Sequence, residues 1–98
     1  MNGNTAANQT VLTAAQRGSA TVIAKVTGIG RASSSGSSSF VAYVTIEGNG
    51  TLSNTTIVSD YLGSPTALTF AMSGGDLQAQ NLSTSRNWNF VTEIIQRA

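Results

Sequence analysis

The chain has 98 residues, enough for one domain, and it contains neither cysteine nor histidine. Disulfide bonds are therefore excluded, and the four scattered acidic residues do not suggest a metal site. Only 9% of the residues are charged, against roughly 25% in an ordinary soluble domain. The five basic residues form no stripe that could neutralise several phosphates, so nucleic-acid binding is not expected.

The small size of the chain raises the question of how its core is supported. A domain of this length buries a modest share of its surface, and without disulfides or a metal it commonly relies on partner subunits. We therefore expect a homo-oligomer. The sequence has no apolar run of 18 or more residues and no basic end followed by an apolar block, so neither a membrane span nor a secretory signal is predicted.

Residues 1–19 are small and polar and are predicted to form an N-terminal arm that precedes the domain. Two interpretations of this arm are open. It is either a mobile terminus, as such segments commonly are, or a segment that becomes ordered against a neighbouring subunit. In the second case Val11 and Leu12 are its apolar anchor.

The pattern typical of β-strands begins near residue 20. Residues 21–29 alternate between apolar and polar positions, although Ile23 and Ile29 lie on the polar side and suggest that this side is partly covered as well. Gly28, Gly30 and the Ser-rich residues 31–39 are predicted to form a flexible connection, the tip of a hairpin. A second strand over residues 40–47 has an unbroken apolar face, made of Phe40, Ala42, Val44 and Ile46.

The rest of the chain is predicted to continue as short strands and turns. An Asn-Gly turn precedes a strand over residues 51–60, whose poorer alternation indicates an edge position or a bulge near Asn54. Pro65 is expected at a corner, because proline cannot donate to a ladder. Gly74 and Gly75 mark a further turn, and no helix of any length is predicted. The remaining strands are expected over residues 67–73, 77–82 and 88–96.

Strands at spacings of roughly 8–12 residues predict an all-β fold, an antiparallel β-sandwich of six or seven strands over residues 20–98. The predicted core is apolar and rich in aromatic residues. Its expected members are Val22, Val26, Phe40, Val44, Ile46, Leu68, Phe70, Trp88, Phe90 and Ile94.

Catalysis is not expected from this sequence. The serines have no histidine to act as a base, Lys25 has no motif around it, and the acids are too far apart in sequence to suggest a glycosidase pair. No cofactor is predicted, and Asp60 and Asp76 are interpreted as turn residues.

Tyr43 and Tyr61 are expected to be more exposed than the other aromatic residues. At such positions a tyrosine either contacts a protein or sugar or caps a sheet edge.

The order of these features resembles a module common in tail-fibre and related virion proteins of tailed bacteriophages. The similar stretches are TVIAKVTG, SFVAYVTIEGNG, TLSNTTIVSD, TALTFAMSGGDLQAQ and RNWNFVTEIIQR, which together lie within residues 20–97. The resemblance implies a structural β-sandwich displayed on the virus particle, with a homotrimer favoured, and a chain made in the host cytoplasm.

The module usually ends a long fibre, whereas here Met1 opens the chain shortly before it. A free-standing copy resembles a capsid decoration (cement) protein, which binds the major capsid protein or another virion protein on the outer head and stabilises it. The alternative is a tail-fibre or head-fibre module that binds a host-surface receptor or glycan through its loops. For the two interpretations taken together, the candidate partner-binding residues are Val11, Leu12, Arg31, Tyr43 and Tyr61.

Overall fold

A computed structural model describes residues 5–32, 36–61 and 68–98, with the backbone alone at residues 32, 36 and 59–61. Within these residues seven strands form two antiparallel sheets, which confirms the predicted all-β sandwich. A single helical turn, α1 (Ala14–Arg17), follows the first strand, so the prediction of no helix is wrong at this turn. The strands are β1 (Gln9–Leu12), β2 (Val22–Ala32), β3 (Gly36–Ile46), β4 (Leu52–Tyr61), β5 (Thr69–Ser73), β6 (Asp76–Gln80) and β7 (Asn87–Arg97).

The larger sheet has four strands in the order β4-β3-β2-β7, and the smaller sheet has three in the order β1-β6-β5. Strands β2, β3 and β4 form a meander. The chain then crosses to the β5–β6 hairpin of the smaller sheet and returns as β7 beside β2, which is the strand order of a Greek key. The larger sheet thus has β4 and β7 as its edges, and of these the edge position of β4 was predicted from its irregular alternation.

The core lies between the two sheets and follows the period-two pattern of the sequence. Val22, Ala24 and Val26 are fully buried, and each pairs with a buried apolar residue of β3. Eight of the ten predicted core residues are buried, while Phe70 and Ile94 are only partly buried. The sequence interpretation did not include the further buried residues Leu12, Ala24, Ala42, Leu77, Ala79 and Leu82.

An aromatic cluster fills one end of the core. The ring centroids of Phe40 and Phe70 are 5.9 Å apart in an edge-on arrangement, and those of Trp88 and Phe90 are 6.2 Å apart in a stacked one. The indole Nε1 of Trp88 donates a hydrogen bond of 3.0 Å to the carbonyl of Ser83. The only tryptophan is therefore completely buried with its polar atom satisfied.

The hairpin of β2 and β3 is longer than predicted. The sequence interpretation placed residues 31–39 in a loop, but β2 continues to Ala32 and β3 begins at Gly36. Gly30 lies inside β2 beside Trp88, and a Cβ atom at this position would lie 2.6 Å from Cε2 of that ring. Residues 31–32 and 36–39 are therefore strand rather than loop, and Gly30, just before them, leaves room for a core aromatic.

Bulges interrupt both edges of the larger sheet. The register of β4 against β3 shifts beside Asn54, as predicted, and shifts again beside Val58. The register of β7 against β2 shifts beside Ile95. Such irregularities bend an edge strand away from regular pairing with another chain. The predicted corner at Pro65 lies outside the described residues.

The N-terminal segment requires a correction. From residue 9 onward it belongs to the sandwich, because β1 pairs with β6 and Leu12 is only 4% exposed. The predicted anchor on a neighbouring subunit is thus, at Leu12, part of the chain's own core. Thr13 and Gln16 close a capping box at the start of α1, and the Ala14 amide donates a 2.8 Å hydrogen bond to the Asp76 carboxylate.

A buried arginine completes this attachment. Arg17 is 6% exposed, and its guanidinium donates to the carbonyls of Gly18 at 3.1 Å and Gly75 at 3.4 Å. The main-chain carbonyl of Arg17 in turn accepts a 2.7 Å hydrogen bond from Nη1 of Arg97 at the end of β7. These bonds connect the N-terminal turn to both sheets, so residues 9–18 are structural rather than a separate arm.

Candidate protein-binding surface

The solvent-facing side of the larger sheet, hereafter the outer face, is the most distinctive surface of the described residues. Alternation along β2 turns Lys25, Thr27, Ile29 and Arg31 outward, because the residues between them are buried. The antiparallel register then aligns residues of β7 and β3 on either side of them. The two central strands, β2 and β3, pair over eleven residues without a register shift, so the side chains between the bulged edges are held on a rigid support.

A strip of apolar side chains, made of Ile29, Val41 and Val91, crosses the middle of the outer face. Thr27 is the register partner of both Val91 and Val41 and so joins them across three strands. Val91 is 67% exposed and Ile29 is 51% exposed, which are high values for β-branched apolar side chains. Further exposed apolar residues occur at the bulges of the two edge strands, at Val58 and Ile95.

The strip surrounds a shallow depression of about 310 Å³. Its wall is apolar where Ile29, Val41 and Val91 contribute and polar where Ser39 and Asn89 contribute. An apolar depression with a few polar groups at its rim is typical of a surface that receives a side chain from a partner protein.

The charges on the outer face are few and of both signs. Lys25 of β2 and Glu93 of β7 are register partners beside the strip, and Arg31 lies near the far end of β2. Opposite charges on neighbouring strands reduce the net field of the surface. A face of this kind does not repel a protein partner of either sign, and its affinity depends mainly on apolar contact.

The five predicted partner-binding residues lie in three different places. Arg31 and Tyr43 lie on the outer face, where Arg31 is exposed and Tyr43 is half-buried beside Lys25. Val11 and Leu12 lie in the smaller sheet, and Leu12 belongs to the core. The backbone of Tyr61 pairs with Ser39 at the edge of the larger sheet, but its side chain lies outside the described part.

Sequence reasoning did not name the apolar strip itself as a candidate site. A signal for it was present, because Ile29 lies on the polar side of β2 and Val91 lies on the same side of β7 as Glu93. An apolar residue at a solvent-facing strand position is common alone, but three residues that meet across neighbouring strands form a patch. Their meeting depends on the strand order β3-β2-β7, which the sequence pattern does not specify.

A second depression, of about 300 Å³, lies at the side of the sandwich between β1 and β7. Val11, Thr13 and Gln16 contribute to one side and Phe90 and Thr92 to the other. The Thr92 hydroxyl is buried there without a hydrogen-bond partner. This groove is more polar than the apolar strip, and its walls are short because β1 has only four residues.

The described residues contain no group of three or more Asp, Glu, His or Cys side chains that could hold a metal ion. No helix in the described ranges has the length and apolar character required to cross a membrane.

In comparisons with known proteins, no family model, no curated protein and no solved structure matches the chain.

Proposed function

We propose that this protein is a structural subunit of a virus particle, a capsid decoration protein of the kind that its sequence resembles. The observation that supports this proposal is the apolar strip on the outer face, which leaves Val91 and Ile29 more than half exposed in the single chain. Side chains of this type are commonly covered in an assembly, because each apolar Å² removed from water contributes about 25 cal/mol. The role on a phage head comes from the sequence resemblance and is part of the proposal.

The low charge of the chain agrees with a subunit that functions within an assembly. With 9% charged residues and a formal net charge of +1, the free chain has little electrostatic protection against association. A protein that covers its apolar face in a defined complex does not need that protection. The two bulged edges of the larger sheet direct such association to the face rather than to the strand edges.

The experiment that tests this proposal is to locate the protein on virions. Virus particles from cells that express the gene are purified on a density gradient, and an antibody against the chain is used for quantitative blotting and immunogold labelling. A decoration protein should be present in many copies per particle, with the label on the head. Label on the tail would favour the receptor-binding alternative, and absence from purified particles would contradict both.

A further inference from the structure

We infer that the outer face binds a second copy of this chain, so that two larger sheets stack face to face around a two-fold axis. This inference rests on the proposed function, because it names the first partner of the assembly surface. It commits to a homodimer, whereas the sequence resemblance favours a homotrimer.

The charge distribution of the outer face favours a copy of itself as the partner. Lys25 and Glu93 are register partners and balance each other beside the apolar strip, which leaves Arg31 near the end of β2 as the unbalanced charge of the three. An isologous contact brings the same patch of both chains together, and a patch with one dominant sign would repel its copy. A nearly neutral patch with an apolar centre is self-complementary.

The size of the outer face is also sufficient for a pair. Four strands about 4.8 Å apart, with about ten residues each at about 3.3 Å per residue, cover roughly 600 Å². Two such faces bury roughly 1,200 Å², which is the lower limit for specific protein–protein interfaces.

A contact made through one patch, the apolar strip, favours a two-fold pair over a three-fold ring. A ring requires two different complementary patches on each chain, whereas one patch that matches itself closes after two copies. Sheets that stack in this way pack about 10 Å apart, and their side chains interdigitate. The exposed Val91 and Ile29 side chains are the groups that would fill such a layer.

The test is the solution mass of the full chain, measured by light scattering and by analytical ultracentrifugation over a dilution series. The variants Val91→Lys and Ile29→Lys each place a charge in the apolar strip, and Ser73→Lys places the same charge on an exposed position of the smaller sheet. Circular dichroism and thermal unfolding establish that each variant is folded. Because Val91 and Ile29 are more than half exposed, both replacements are compatible with folding.

The expected result is a monomer–dimer equilibrium that Ser73→Lys leaves unchanged and that each strip variant weakens at least tenfold. A wild-type chain that is monomeric at every concentration, a trimer, or a dimer that withstands both strip variants would overturn the inference. The virion experiment is independent of this result. A chain found on heads but monomeric in solution would support the decoration role and overturn the dimer, and a strip-dependent dimer absent from virions would do the reverse.

Discussion

At the level of single residues, two glycines determine how the aromatic core is arranged. Gly28 lies between Phe40 and Phe90 in the register of the larger sheet, and Gly30 is the register partner of Trp88. A Cβ atom on either glycine would meet a ring of these partners. The glycines weaken β2 intrinsically, and the large rings that cover them restore packing, an arrangement known as aromatic rescue.

We therefore expect Gly30→Ala to lower the free energy of unfolding by about 1–3 kcal/mol, the usual cost of overpacking a core. Urea denaturation measures this loss, and Ser37→Ala, at an exposed position of the neighbouring β3, serves as the control. In a Trp88→Phe background the smaller ring leaves space, so the cost of the added methyl group should decrease. An unchanged cost in that background would show that the glycine is not required for the tryptophan.

At the level of secondary-structure elements, the strands with strong alternation could be predicted from the sequence. The buried faces of β2 and β3 were predicted in this way because both strands have one covered and one exposed side. The N-terminal strand β1 could not be predicted, because its four residues contain only two apolar side chains among polar ones. Its position depends on pairing with β6 and on hydrogen bonds to residues far away in sequence, such as the bond from Ala14 to Asp76.

The candidate surface could likewise be predicted only in part from the sequence. The outward positions of Lys25 and Ile29 follow from alternation within one strand. The apolar strip requires in addition that β7, the last strand, pairs with β2, the second. The burial of Arg17 was equally inaccessible, because its partners are carbonyls rather than a recognisable acidic residue.

The structure changes the expected effect of removing the N-terminal segment. The sequence interpretation places residues 1–19 in an arm outside the domain, but deletion of these residues removes β1, α1 and the buried Leu12. We expect the shortened chain to be unfolded, as judged by circular dichroism. Deletion of residues 1–4 removes none of the contacts described above and serves as the control.

A milder change separates folding from binding at this segment. Leu12→Ala should lower the free energy of unfolding by about 2–4 kcal/mol, because it leaves a cavity in the core. Val11→Ala, on the half-buried neighbouring position, should cost less than half as much. If Leu12→Ala left stability unchanged but abolished association, the original interpretation of an anchor on a neighbouring subunit would be correct.

At the level of the whole molecule, the chain combines a well-covered core with a poorly covered outer face. The smaller sheet covers one side of the larger sheet with three strands of four or five residues, whereas β2, β3 and β7 each have eleven. The opposite side of the larger sheet has no such cover among the described residues. A second layer from another subunit would therefore complete a stack in which the larger sheet is covered on both sides.

This arrangement predicts how salts affect the inferred dimer. Association driven by apolar contact strengthens with sulfate, which is excluded from protein surfaces, and is nearly insensitive to sodium chloride when the facing charges are balanced. Sedimentation velocity at one protein concentration, with increasing ammonium sulfate or sodium chloride, should show the dimer fraction rising in the first series and constant in the second. Dissociation in sodium chloride would instead indicate that Lys25 and Glu93 form the main contacts across the interface.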